Sequence, residues 1–263
     1  MSMLMGIGES PHLQDLSKSV KEVVGSISQP NHWTRCVHSF WKAQRKDDFS
    51  VDEAQEFTVC LSQVVGSVTL LFDNLSAVEL TRLQFPIDSS GGNTVYNALY
   101  SPHSIFDVPE DLSKPIHMLH LSFRDFLVDS VRCPDVRFQI NQQQVHHDLL
   151  NHCLYLIDRS LVRNICQLPG PGVLINVVFE ATLNEHLPFG LRYACHYWID
   201  HAENGRVSLS DHGPVHSLLR QHCVYWLEAM GLISKIPEAV TMMIKLESLI
   251  DVSEILWYLQ DVY

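Results

Sequence analysis

Fifteen histidines and seven cysteines are the side chains of this 263-residue sequence with the widest chemical reach, because imidazole and thiolate both ligate metals and serve in catalysis. Two histidine groups lie close along the chain: His146, His147 and His152, then His212, His216 and His222. A zinc site needs ligands that converge, and the helical solution is HExxH, with two imidazoles one turn apart and a Glu between them. That string does not occur. His212 and His216 have the right spacing, but Gly213-Pro214 between them sets His212 ahead of the helix start. A His-rich metal-dependent enzyme is therefore the weaker alternative, and no metal ligand is assigned.

Thiol chemistry has two openings, Cys153 beside His152 and Cys195 beside His196. Adjacent helical residues point in different directions and cannot form a nucleophile–base pair. Both cysteines fall on apolar helix faces, where a thiol acts as a small core group. No GxSxG elbow is present, and Gly6-Ile-Gly8 follows no strand pattern. The expectation is a chain with no catalytic residues and no cofactor of its own. Cys36, Cys60, Cys133, Cys153, Cys166, Cys195 and Cys223 are scattered and never form CxxC, which fits reduced thiols and a cytoplasmic protein.

The elements that would position these groups are mostly helices. Residues 1–51 set no clear periodic face, although 13–24 and 33–45 are possible helical pieces. From Asp52, Phe57, Leu61, Val64, Val65, Val68, Leu71 and Phe72 recur at spacings of three and four, predicting an amphipathic helix. Ser76 with Glu79 has capping-box spacing and predicts a short helix through Leu83. After Pro86 and Ser89-Ser90-Gly91-Gly92, residues 94–100 can form a third helix carrying Val95 and Leu99.

Two short apolar segments, 105–108 and 116–119, separated by prolines and polar residues, then predict a small hairpin. Ser122 with Asp125 is read as the cap of a helix bearing Phe123, Phe126 and Leu127. Beyond Pro134 only helices are expected. The longest covers about 143–166 and is stopped by Pro169-Gly170-Pro171-Gly172; others begin at Pro188, Pro214 and Pro237. The aromatics Tyr193, Tyr197, Trp198, Tyr225, Trp226, Trp257 and Tyr258 are expected mainly in the core, with some available as partner anchors.

Composition narrows the function. Eighteen Lys+Arg against 30 Asp+Glu give a formal charge of -12, which opposes a phosphate backbone. The densest basic group, Lys42, Arg45 and Lys46, is followed at once by Asp47 and Asp48. No run of about 18 apolar residues suggests a membrane span, and the first ten residues lack a signal-peptide pattern.

The segment IHMLHLSFRDFL (116–127) resembles the end of the winged-helix domain in NACHT-type (STAND, NLR-like) signalling ATPases, where a histidine stands at a strand-to-helix junction. His120 occupies that position. Co-linear strings extend the resemblance to fungal NACHT proteins over residues 52 to 250: SQVVGSVTLLFDNLSAVEL, NHCLYLID, NICQLPG, LRYACHYWIDH and WLEAMGLI. The resemblance implies that His120 faces nucleotide held by an ATPase module, where contact with ADP phosphates locks the resting state.

One departure is severe. A phosphate-binding loop requires G-x-x-x-x-G-K-[ST], and no Gly-Lys pair occurs. The expected fold is mainly α: an N-terminal segment (1–51), a winged-helix domain with a small β-hairpin (52–130), and an α-helical bundle domain (131–263). The expected role is a non-catalytic regulatory or interaction fragment of a fungal innate-immunity or cell-death protein, with a NACHT module supplied by another chain as partner. A DNA-binding winged helix is the alternative, opposed by the absence of Lys and Arg from 94–100.

Overall fold

The protein is described by a computed structural model covering residues 51–84, 95, 99, 106–133, 135–136, 138–170, 180–211 and 213–249. Among these residues it is mostly helical, with one two-stranded antiparallel sheet. The readings at 1–50, most of the proposed helix at 94–100, His212, Trp257 and Tyr258 lie outside the described residues. Val95 and Leu99 from that helix are helical and fully buried.

Helix α1 (Val51–Leu70) presents Val64, Gly66, Ser67 and Leu70 inward. It ends at a short loop from which α2 (Ala77–Gln84) starts. Ser76 caps α2 as its sequence predicts, its Oγ accepting the Glu79 N–H at 3.1 Å. The Glu79 carboxylate does not return to Ser76 as a capping box would. It accepts from Arg82 at 2.6 Å and from the Gly190 N–H at 2.8 Å, so it caps a different helix.

Strands β1 (Phe106–Asp107) and β2 (His117–Met118) pair antiparallel, with Phe106 opposite Met118 and Asp107 opposite His117. The chain then enters α3 (Leu121–Val128), which buries Phe123, Phe126 and Leu127. The proposed Ser122 cap is corrected here. The helix has already begun at Leu121, and His120, in extended conformation, holds the cap position without a side-chain capping bond.

The central helix α4 (Gln142–Ser160) is capped by Asn141, whose Oδ1 accepts the Gln144 N–H at 3.2 Å. It is shorter than its apolar spacing suggests. Leu161 turns extended, and Asn164 and Gln167 adopt positive φ values of 53° and 52°. Asn164 fixes that turn with both ends of its amide, donating to the Leu168 carbonyl at 2.9 Å and accepting the Leu168 N–H at 2.8 Å. A short helix α5 (Glu180–His186), which the sequence pattern does not reveal, precedes α6 (Phe189–Asn204), α7 (Pro214–Leu232) and α8 (Ile236–Leu249).

α4 packs most extensively on α6, and α1, α2 and α7 close around this pair. One continuous core runs from Val64 to Leu246, including the fully enclosed Trp198 and Trp226. Their rings meet edge to face with centroids 6.2 Å apart, and the Trp226 Nε1–H donates to the Cys195 carbonyl at 2.8 Å. Tyr193 is buried as well, while Tyr197 and Tyr225 are half-buried against the core. The exposed apolar side chains concentrate on aliphatic residues, including Ile236, Val240, Met243 and Ile244 along one stripe of α8. No described helix is long and apolar enough to cross a membrane.

Candidate functional site

His120 stands where β2 gives way to α3, and its carbonyl accepts the Phe123 N–H at 3.0 Å to close the first helical turn. Its side chain is partly exposed. The hairpin carrying it is bound to the α1–α2 junction by several contacts. The Ile116 N–H donates to the Leu75 carbonyl at 2.9 Å, the Val78 N–H to the Leu112 carbonyl at 3.3 Å, and Ser76 bridges Pro115. The Asn74 Nδ2 meets His117 Nδ1 at 2.9 Å. Where α1 ends therefore sets where the hairpin, and with it His120, is held.

The end of α1 is in turn fixed by a cluster of rings that spans three helices. His146 on α4 and His201 on α6 face each other with Nδ1 atoms 2.9 Å apart, and Tyr193 Oη lies 2.8 Å from His201 Nε2. The Phe72 N–H, just past the last turn of α1, donates to Tyr193 Oη at 3.3 Å. The Phe72 ring covers the group, with centroids 5.6 Å from His146, 5.5 Å from Tyr197 and 4.8 Å from His201.

Donor–acceptor accounting orders the protons. With Tyr193 Oη accepting from Phe72, one arrangement has its O–H donate to His201 Nε2. His201 then carries its proton on Nδ1 and donates it to His146 Nδ1, which leaves His146 protonated on Nε2. The chain fails when both imidazoles are charged, because two Nδ1–H groups then face each other, and with both neutral every contact of the chain is satisfied.

Burial enforces that state. His201 is 0% exposed and its pKa falls to about 3, first because burial penalises the cation and then because His146 lies beside it. His146, 4% exposed, falls to about 4 through burial and the like charge of Arg124 on α3. Burial likewise raises the Tyr193 hydroxyl far above the usual phenol range.

The histidines grouped by sequence are dispersed by the fold. His146 turns into the core, His147 is exposed, and His152 is largely enclosed, with burial lowering its pKa. His222 pairs with Asp158 at 3.1 Å. Among the described residues no three His, Cys, Asp or Glu side chains are placed to hold a metal. Cys153 and Cys195 are fully buried in the α4–α6 interface, and burial pushes the Cys195 thiol up to about 12 and Cys153 higher still. Protonated thiols of that kind are poor nucleophiles.

Sequence reasoning missed His201 and its pairing with His146. The available signal was the i, i+4, i+8 series Tyr193, Tyr197, His201, a stripe of ring side chains along one face of α6.

No family model matches the chain, and no solved structure matches it. In an alignment 182 positions long that covers 57% of the chain, it is 28% identical to the vegetative incompatibility protein HET-E-1 of Podospora anserina. The matched part spans 13% of that protein's length. This likeness supports a relationship to a fungal NACHT-type protein.

Proposed function

We propose that the chain is a non-catalytic regulatory piece of a fungal NACHT-type signalling system of the vegetative-incompatibility or cell-death kind, acting in the cytoplasm. The observation that carries this reading is the 28% identity, in an alignment 182 positions long, to a vegetative incompatibility protein. On this reading, residues 52–130 are a winged-helix unit with the β1–β2 hairpin as its wing, and residues 131–263 are the helical domain that follows it.

His120 then has the role of the nucleotide-facing histidine. Its support is positional: a partly exposed imidazole at a hairpin-to-helix turn can present an N–H to a phosphate oxygen held by a neighbouring module. On this reading that module supplies the phosphate-binding loop, since the 263 residues contain no Gly-Lys pair.

The test is association. The chain mixed with a separately expressed NACHT ATPase module and ADP is expected to co-sediment as a one-to-one complex, and His120→Ala to weaken that complex in the presence of ADP. Independent sedimentation at tens of micromolar, with or without nucleotide, overturns the assignment.

A further inference from the structure

We propose that the His146–His201 pair is a proton-operated latch, which holds the end of α1, and through it the hairpin, against the α4–α6 core while both imidazoles are neutral. The geometry carries this. Five rings from α4, α6 and the end of α1 meet, and the hydrogen-bond chain through three of them terminates on the Phe72 backbone N–H. Two residues later, Asn74 bonds to His117 on β2. Releasing Phe72 therefore loosens the tether of the element that carries His120.

Protonating both imidazoles breaks the chain at a defined place. Two imidazolium rings point their Nδ1–H groups at each other across a 2.9 Å contact. A proton on His201 Nε2 removes the acceptor to which the Tyr193 hydroxyl donates.

The groups around the pair offer no relief. From α3 the charged neighbour of His146 is Arg124, of the same sign. From α4 comes the protonated Cys153, and from α6 come Tyr193 and Tyr197. Asp73, past the end of α1, acts on the two tyrosines. On the far side, Asp200 and Glu203 of α6 are occupied by Lys245 of α8 at 2.6 and 2.9 Å.

The sign follows from linkage. In the released state the imidazoles titrate near their ordinary value of about 6.5, and in the latched state near 4 and 3. The latched form is fully favoured above pH 6.5 and loses ground as pH falls toward 4. The released-to-latched ratio rises by up to ~10-fold per pH unit for each imidazole, or ~100-fold for both.

Hydrogen exchange of the full chain tests this at the Phe72 and Leu71 amides, with protection corrected for the intrinsic pH dependence of exchange. Protection in the wild type is expected to fall steeply between pH 6.5 and 5, while the Ala229 amide in α7 holds. In the double variant His146→Gln, His201→Gln, whose amides bond without titrating, the profile is expected to be flat.

An equally steep profile in the double variant, a flat one in the wild type, or a parallel fall at Ala229 that marks global unfolding overturns the latch. If the double variant does not fold, His146→Gln alone is expected to reduce the slope to that of one imidazole, and an unchanged slope overturns the proposal.

Discussion

Glu79 shows how one side chain joins two parts of this molecule. Its Oε1 takes the Arg82 guanidinium on its own helix, and its Oε2 takes the Gly190 N–H, one of the donors that the first turn of α6 leaves without a helical partner. Pro188, at the α6 cap position, has no side-chain acceptor to offer, so the carboxylate from α2 supplies both the hydrogen bond and the negative charge that a helix start favours. A Cβ on residue 190 would lie 2.7 Å from Glu79 Oε2. Gly190→Ala is therefore expected to displace that carboxylate and cost about 1–2 kcal/mol, the worth of a lost cap. Urea denaturation checks this, and Glu79→Gln, which keeps an acceptor, is expected to lose less.

At this scale the sequence is only half legible. Ser76 and Glu79 announce the α2 cap, but nothing local says that Glu79 serves a helix more than a hundred residues away. His146 is likewise visible as a histidine on an apolar face. Its partner His201 lies 55 positions along the chain, and only tertiary packing brings the two Nδ1 atoms together.

Among the elements, α1 and α4 approach closely because Gly66 has no side chain. A Cβ there would sit 3.1 Å from Val145 Cγ2. For Gly66→Ala, helix propensity gains about 1 kcal/mol, and the enforced shift of Val145 offsets it, so near-neutral stability is expected. Gly66→Val adds branched bulk at the same contact and is expected to destabilise by ~1–3 kcal/mol, as overpacking does. Thermal unfolding of the two variants separates propensity from packing; equal stability for both would show that α1 moves freely away from α4.

Most elements were readable because their apolar residues recur every three to four positions over many turns, as along α1, α4 and α6. Their ends were not always readable. Leu161 and Ile165 continue the α4 spacing, yet the helix stops at Ser160, because Asn164 takes a left-handed conformation and its amide closes a loop onto Leu168. The chain still buries Leu161 and Ile165, from irregular backbone. Ser122 failed as a cap for a related reason: its type suits the role, but β2 delivers the chain into α3 two residues too early, with His120 at the cap. α5 is too short, with only Leu183 buried, to leave a periodic trace.

At the scale of the molecule, the mainly helical architecture with one small antiparallel hairpin among the described residues was legible from alternating punctuation and periodicity. The single core joining α1 and α2 to α4, α6 and α7 was not, since helix spacing fixes which face is buried but not against what. That core gives the end of α1 a central place, between the ring cluster and the hairpin that bears His120. The proposal of a regulatory piece with a borrowed nucleotide site rests on the likeness to the incompatibility protein, and this arrangement adds only the position of His120.

Calorimetric titration with ADP tests it most directly. The chain alone is expected to show no binding heat, whereas a mixture with a NACHT module is expected to bind ADP more tightly than the module by itself and to lose that gain on His120→Ala. Stoichiometric micromolar binding of ADP by the chain alone would contradict the account.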